Sequence, residues 1–211
     1  ESQAVTVKGI IPRLSKENYM VNYITSRYSR QGLWSLFLTC AFPLHLWTLI
    51  LAFRDISWVT ERTNAWDAIG VVSYGMVSAL VESMLVFLII VLVGFITPHQ
   101  WEVDRRITFL AFLVLILSVW AMISQLLFLW NVSLPESAIE YLRNSDHPVR
   151  ITYAVLLMVI TPTVLLPAYS FLKTKKAVTV MQNLMERLSL LSIFYLVFDL
   201  LGVIIILVRN L

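Results

Sequence analysis

The chain has 211 residues, of which 59% are hydrophobic and only 14% charged, far below the roughly 25% charged share of a soluble domain. This excludes an ordinary soluble protein, and the net charge of +3 sits in segments beside apolar runs, where it suits anionic lipid headgroups rather than nucleic acid. One cysteine, Cys40, excludes an intramolecular disulfide and leaves the redox compartment open.

Residues 1–32 read as a cytoplasmic amphipathic N-terminal segment, followed over 33–211 by a single transmembrane domain. Within 13–30, Val21, Ile24 and Tyr28 recur at helical spacing among Arg13, Lys16, Arg27 and Arg30, the pattern of a short helix lying on the inner leaflet. The first 30 residues contain no signal-peptide apolar core. Five apolar stretches follow, at about 33–53, 68–97, 107–130, 151–172 and 187–208. A bilayer core of ~30 Å needs ~20 helical residues, so each stretch is long enough alone. The expected fold is an all-α bundle of five transmembrane helices.

Between the spans, Trp58 and Trp66 fall in a first outer loop, while Trp34, Trp101 and Trp130 stand at span ends. All five suit interfacial anchoring. In the third loop, Ser133 and Glu136 form a capping box with Pro135 in the first turn, and Asn144 to Pro148 closes a short helix. Asn131-Val-Ser133 matches the glycosylation sequon but abuts the third span too closely to be reached, and reads as a chance match. Pro162 and Pro167 interrupt the fourth span, which predicts a kink and a candidate hinge there. Thr161 and Thr163 are placed to satisfy the carbonyls the prolines release. Ala177, Met181, Leu184 and Leu188 keep helical spacing, so the fifth helix should begin two or three turns before the membrane.

Eleven basic residues lie in the N-terminal segment and the second and fourth loops, against five in the first and third loops and the tail. The excess predicts a cytoplasmic N-terminus and an extracytoplasmic C-terminus.

Three spans carry one ionisable residue near mid-membrane: His45, Glu82 and Asp199. Each lies on a stripe of small or polar side chains: Ala41, His45, Thr48 and Ala52; Gly75, Ser78 and Glu82; Ser192, Tyr195, Asp199 and Gly202. The third span adds Ala111, Ser118, Ala121 and Gln125. Spacings of three and four put each set on one helical face, where small residues permit close packing and polar ones bond across it. His45, Glu82 and Asp199 should lie at similar depth, and the set of them with Ser78, Thr48, Tyr195 and Gln125 is the candidate midplane cluster. A charge there costs ~2.5–3.5 kcal/mol on insertion scales, so the three groups should share protons rather than stand fully ionised.

Such a cluster serves first as hydrogen-bonded cross-links between helices, and next as a proton or cation path. A headgroup, quinone-like or pigment site comes third. A metal site comes last, since no His-Glu-x-x-His or comparable spacing occurs. Phe198-Asp199 lacks the Gly-x-Gly-Asp partner of intramembrane aspartyl proteases, and no Gly-x-Ser-x-Gly run, phosphate-binding loop or cysteine cluster is present. The balance is against an enzyme, and no pattern identifies a cofactor. The leading expectation is a non-catalytic membrane subunit or scaffold, partnered by lipids and by other membrane subunits or its own copies. A small proton- or cation-coupled transporter or channel using His45, Glu82 and Asp199 is the alternative, and an intramembrane lipid-processing enzyme the second.

Overall fold

The computed structural model describes residues 27–129 and 133–211, with the side chains of Phe128 and Leu172 left aside. Trp130, Asn131 and residues 1–26 of the N-terminal segment lie outside the described residues. The rest is helical: α1 (Arg30–Arg62), α2 (Ala65–Ile96), α3 (Val103–Leu129), the short α4 (Glu136–Arg143), α5 (Pro148–Lys173) and α6 (Lys175–Asn210). Among the described residues five helices, all but α4, are long and apolar enough to cross a bilayer. The protein is a multi-pass, all-α bundle. One end of the bundle, here the proximal face, carries the start of α1, the α2–α3 loop and the α5–α6 turn. The distal face carries the α1–α2 turn, α4 and the end of α6.

Helices α1, α2, α3 and α6 form the body, with the principal contacts between α1 and α2, α2 and α6, α1 and α6, and α1 and α3. The apolar core gathers toward the proximal half around Leu36, Cys40, Leu110, Ala111, Phe171 and Met185. Helix α5 is different. In the apolar stretch of α1, 44% of residues are buried, whereas in that of α5 only 6% are. Among its described side chains the well-buried ones, Ala168 and Phe171, lie near its proximal end, where Phe171 stacks on Phe112 with ring centroids 4.9 Å apart.

Several local expectations are revised. The first outer loop shrinks to a turn, because α1 continues to Arg62 and α2 begins at Ala65. Residues 54–62 contain neither Gly nor Pro to stop the helix. The Asn64 side chain then caps α2 by accepting the Asp67 N–H at 2.9 Å. Trp58 and Trp66 are therefore helical, both exposed near the distal face. The Arg62 guanidinium sits 4.2 Å above the Trp58 ring. Trp34 is exposed and Trp101 half-buried near the proximal face, so these four of the interfacial tryptophans fall into two bands. Helix α4 starts at Glu136 with Pro135 at its N-cap and no side-chain cap, so the Ser133 capping box does not form. It ends at Asn144 as the sequence suggests.

Helix α5 runs unbroken through Pro162 and Pro167. The Thr163 hydroxyl lies 2.9 Å from the Val159 carbonyl and 2.8 Å from that of Ile160, donating into the segment the proline disturbs. Helix α6 starts at Lys175, ahead of its apolar run, and buries Met181 and Leu188.

The described end of the N-terminal segment enters the bundle instead of lying on a leaflet. Tyr28 is buried and donates to the Val91 carbonyl at 2.7 Å. Its ring meets Phe95 edge-on. A Cβ on Gly94 would overlap the Tyr28 hydroxyl, so glycine there makes room for the insertion.

Candidate functional site

The candidate midplane residues sort into two separate places. The first is a seam between α1 and α6. Ser35 and Ser189 hydroxyls stand 3.5 Å apart, Ser192 donates to the Leu38 carbonyl at 2.7 Å, and His45 Nε2 meets Asp199 Oδ2 at 2.9 Å. All three rungs join residues separated by 154 positions. A constant offset means that α1 and α6 run parallel and in register. Along α1 the rungs and the Phe42 ring fall at 35, 38, 42 and 45, the alternating three and four of a coiled-coil seam. Phe42 occupies the rung between the polar ones, its ring stacked on Tyr195.

His45 and Asp199 are sealed, with side-chain exposures of 0% and 2%. His45 Nδ1 lies 2.8 Å from the Ala41 carbonyl, and Nε2 contacts both carboxylate oxygens, at 3.1 and 2.9 Å. A carbonyl only accepts, so Nδ1 carries a proton. The Nε2–carboxylate contact then needs a second proton, on the imidazole or on the carboxyl group. The pair is neutral as a unit in either arrangement, which lowers the cost of burying it. The Tyr195 ring stacks parallel on the imidazole, centroids 5.6 Å apart and planes 7° apart. It covers the pair with a ring face and extends no hydroxyl chain toward it. This is a clamp between two helices rather than a solvent-reached acid–base site.

The second place is a pair of clefts beside α1. Glu82, at mid-length of α2, is exposed, and its hydrogen-bond partner among the described residues is Ser78, whose hydroxyl donates to Oε1 at 3.3 Å. One cleft, of about 280 Å³, lies between α1 and α2 and is lined by Thr48, Leu51, Gly75, Ser78 and Glu82 among others. Another, of about 400 Å³, lies against α3 and is lined by Trp47, Leu51, Glu82, Ser118 and Gln125 among others. Neither His45 nor Asp199 lines either cleft. The structure thus joins His45, Asp199 and Tyr195 at the seam and places Glu82, Ser78, Thr48 and Gln125 at the clefts. On α3 the small-residue stripe divides similarly: Ala111 is buried, whereas Ala121 and Gln125 are exposed. Among the described residues, no three His, Cys, Asp or Glu side chains converge as a metal site would require.

A third polar feature is not marked in the sequence, where Arg106 counts only as a topology charge and Arg27 as that and as part of the amphipathic 13–30 pattern. Arg106 is buried near the proximal face and threads the α2–α3 loop. Its Nη1 donates to the Arg27 carbonyl at 2.7 Å, Nε to the Thr97 hydroxyl at 3.0 Å, and Nη2 reaches the carbonyls of Pro98, His99 and Trp101 at 3.1–3.4 Å. Arg27 donates to the Thr97 carbonyl at 2.9 Å, at the C-cap of α2. Two cations at the negative end of a helix dipole are favourably placed. A Pro98 that ends α2 and an arginine one turn into α3 are the only signals the sequence offered. At the distal face Arg209 of α6 ties back to α2, bonding Asp67 and the Trp66 carbonyl.

Comparison of the chain with protein-family models, with characterised proteins and with solved structures finds no significant match.

Proposed function

We propose that this chain is a non-catalytic integral membrane subunit, a scaffold whose four-helix body holds α5 out for other membrane proteins. The observation that carries the reading is the state of α5. It is a bilayer-length helix seated at its proximal end and bare over the rest, with Met158 near its middle 77% exposed. The other four spanning helices are 17–44% buried over their apolar stretches, and against them that bareness fits a helix completed by partner helices or by a second copy of the chain. The buried polar groups support the same reading, because His45, Asp199 and Ser192 are all spent on α1–α6 cross-links. A proton relay through His45, Asp199 and Glu82 is less favoured, since the sealed pair and the Glu82 clefts have separate linings. The excess of basic residues in proximal segments supports a cytoplasmic proximal face and an extracytoplasmic C-terminus.

The test is photo-crosslinking in the native membrane, with a photoreactive residue at position 158 and a control at Leu38 in the core. Protein adducts of defined mass at 158 and none at 38, matched by native mass spectrometry of the gently extracted complex, are the expected result. Lipid adducts alone, with a bare monomer in the spectrometer, would sink the proposal.

A further inference from the structure

The Glu82 clefts carry a conclusion independent of the subunit reading, since they lie between α1, α2 and α3 rather than along α5. Glu82 is seventeen residues from the distal start of α2, about 25 Å along the helix. That puts a carboxyl group near mid-bilayer, facing out of the bundle instead of into it. Polar groups at this depth are costly and normally face the interior with a partner. Glu82 has Ser78 alone among the described residues, and the Ser78 hydroxyl donates to it. The acceptor positions of the carboxyl oxygens that Ser78 does not fill, with those of the serine oxygen, point to a missing donor.

The walls define the rest of that donor. The α1–α2 cleft is built from Leu51, Ala52, Val72, Gly75 and Ala79, with Glu82 at its proximal end and Asp55 toward the distal face. Asp55 is already paired with Arg54, at 2.7 and 3.0 Å, so the Glu82 carboxyl group is the acceptor left to be matched. A bare metal ion would need several more oxygen ligands than Glu82, Ser78 and Thr48 supply. An apolar body with one cationic, hydrogen-bond-donating head fits both the volume and the charge.

We propose that the Glu82 cleft binds a lipophilic amine: the protonated amine donates to Glu82 and Ser78, and the hydrocarbon body lies along the α1–α2 groove. Entry is lateral, from the lipid phase, because Glu82 faces outward.

The experiment is equilibrium binding of radiolabelled dodecylamine to the full chain in phosphatidylcholine nanodiscs, with empty nanodiscs subtracted. Saturable binding that dodecanol fails to displace is expected, weakened at least tenfold by Glu82→Gln. Ala52→Phe, which fills the groove but keeps the carboxylate, should abolish binding too, and it decides the matter should Glu82→Gln not fold. Absence of saturable binding, equal displacement by dodecanol, or unchanged affinity in a folded Glu82→Gln or Ala52→Phe variant would each overturn the proposal.

Discussion

His45 and Asp199 stand 154 residues apart in the chain and 2.9 Å apart in space, and the pair closes a register that Ser35–Ser189 and Leu38–Ser192 share. The first and last spans are thereby locked side by side, which ties the two ends of the domain together.

Breaking the pair by Asp199→Ala leaves His45 Nε2 buried without its partner. The expected loss is about 3–5 kcal/mol, the scale for removing one member of a buried pair. Replacing both residues by leucine should recover much of that loss, because it deletes the stranded polar group as well. A double-mutant cycle on unfolding in detergent reads this directly. Additive single losses would mean that the two side chains do not depend on each other.

Elsewhere on α6 the effects should be smaller and ordered. Ser192→Ala removes the hydroxyl bond to Leu38 and should cost about 0.5–1 kcal/mol. Gly202→Val should cost more, roughly 1–3 kcal/mol, by overpacking. A Cβ at Gly202 would already stand 3.2 Å from the Ser73 carbonyl oxygen, which belongs to the α2 backbone and cannot rotate aside. The reverse order of melting temperatures would contradict the close α2–α6 approach.

Tyr28 offers a pH signature. Burial pushes its hydroxyl above the ordinary value of 10.0, against the opposing pull of Arg106 and Arg27. The folded protein holds the phenol proton more tightly than the unfolded chain does. Its contribution is therefore complete below pH 10.0 and lost as pH rises through the folded value. Tyr28→Phe should lower stability by about 1 kcal/mol near neutrality and flatten the alkaline limb of the stability curve. Thermal unfolding followed from about pH 9 to about pH 12, across the ordinary tyrosine value and the region above it, provides the check.

Arg106→Lys keeps the charge but not the planar fork that reaches Arg27, Thr97, Pro98 and Trp101 together. The α2–α3 loop should become protease-sensitive at 97–102, with a stability loss on the order of 3 kcal/mol. Arg105→Lys, beside it but stacked over Trp101 at 5.4 Å, should leave the loop resistant. Equal resistance of the two variants would show that charge alone holds the loop.

What the sequence determined by itself is the class and the inventory. Apolar runs of bilayer length leave a helix as the way to satisfy backbone groups in lipid, so five helices were readable from residue order. The small and polar stripes likewise marked Ala41, His45, Ser192, Asp199 and Gly202 as facing inward, and all five are buried. Which helices become neighbours is a different matter. Periodicity assigns a face to each helix but says nothing about the helix opposite it. So His45, Glu82 and Asp199, alike in depth, could be grouped only by tertiary structure, which pairs the first and last and turns Glu82 toward the clefts. The same limit hid Arg106 and Tyr28. Their roles depend on backbone carbonyls at Arg27, Val91 and the α2–α3 loop, and every residue type presents the same carbonyl, so residue identity cannot announce where it will be met.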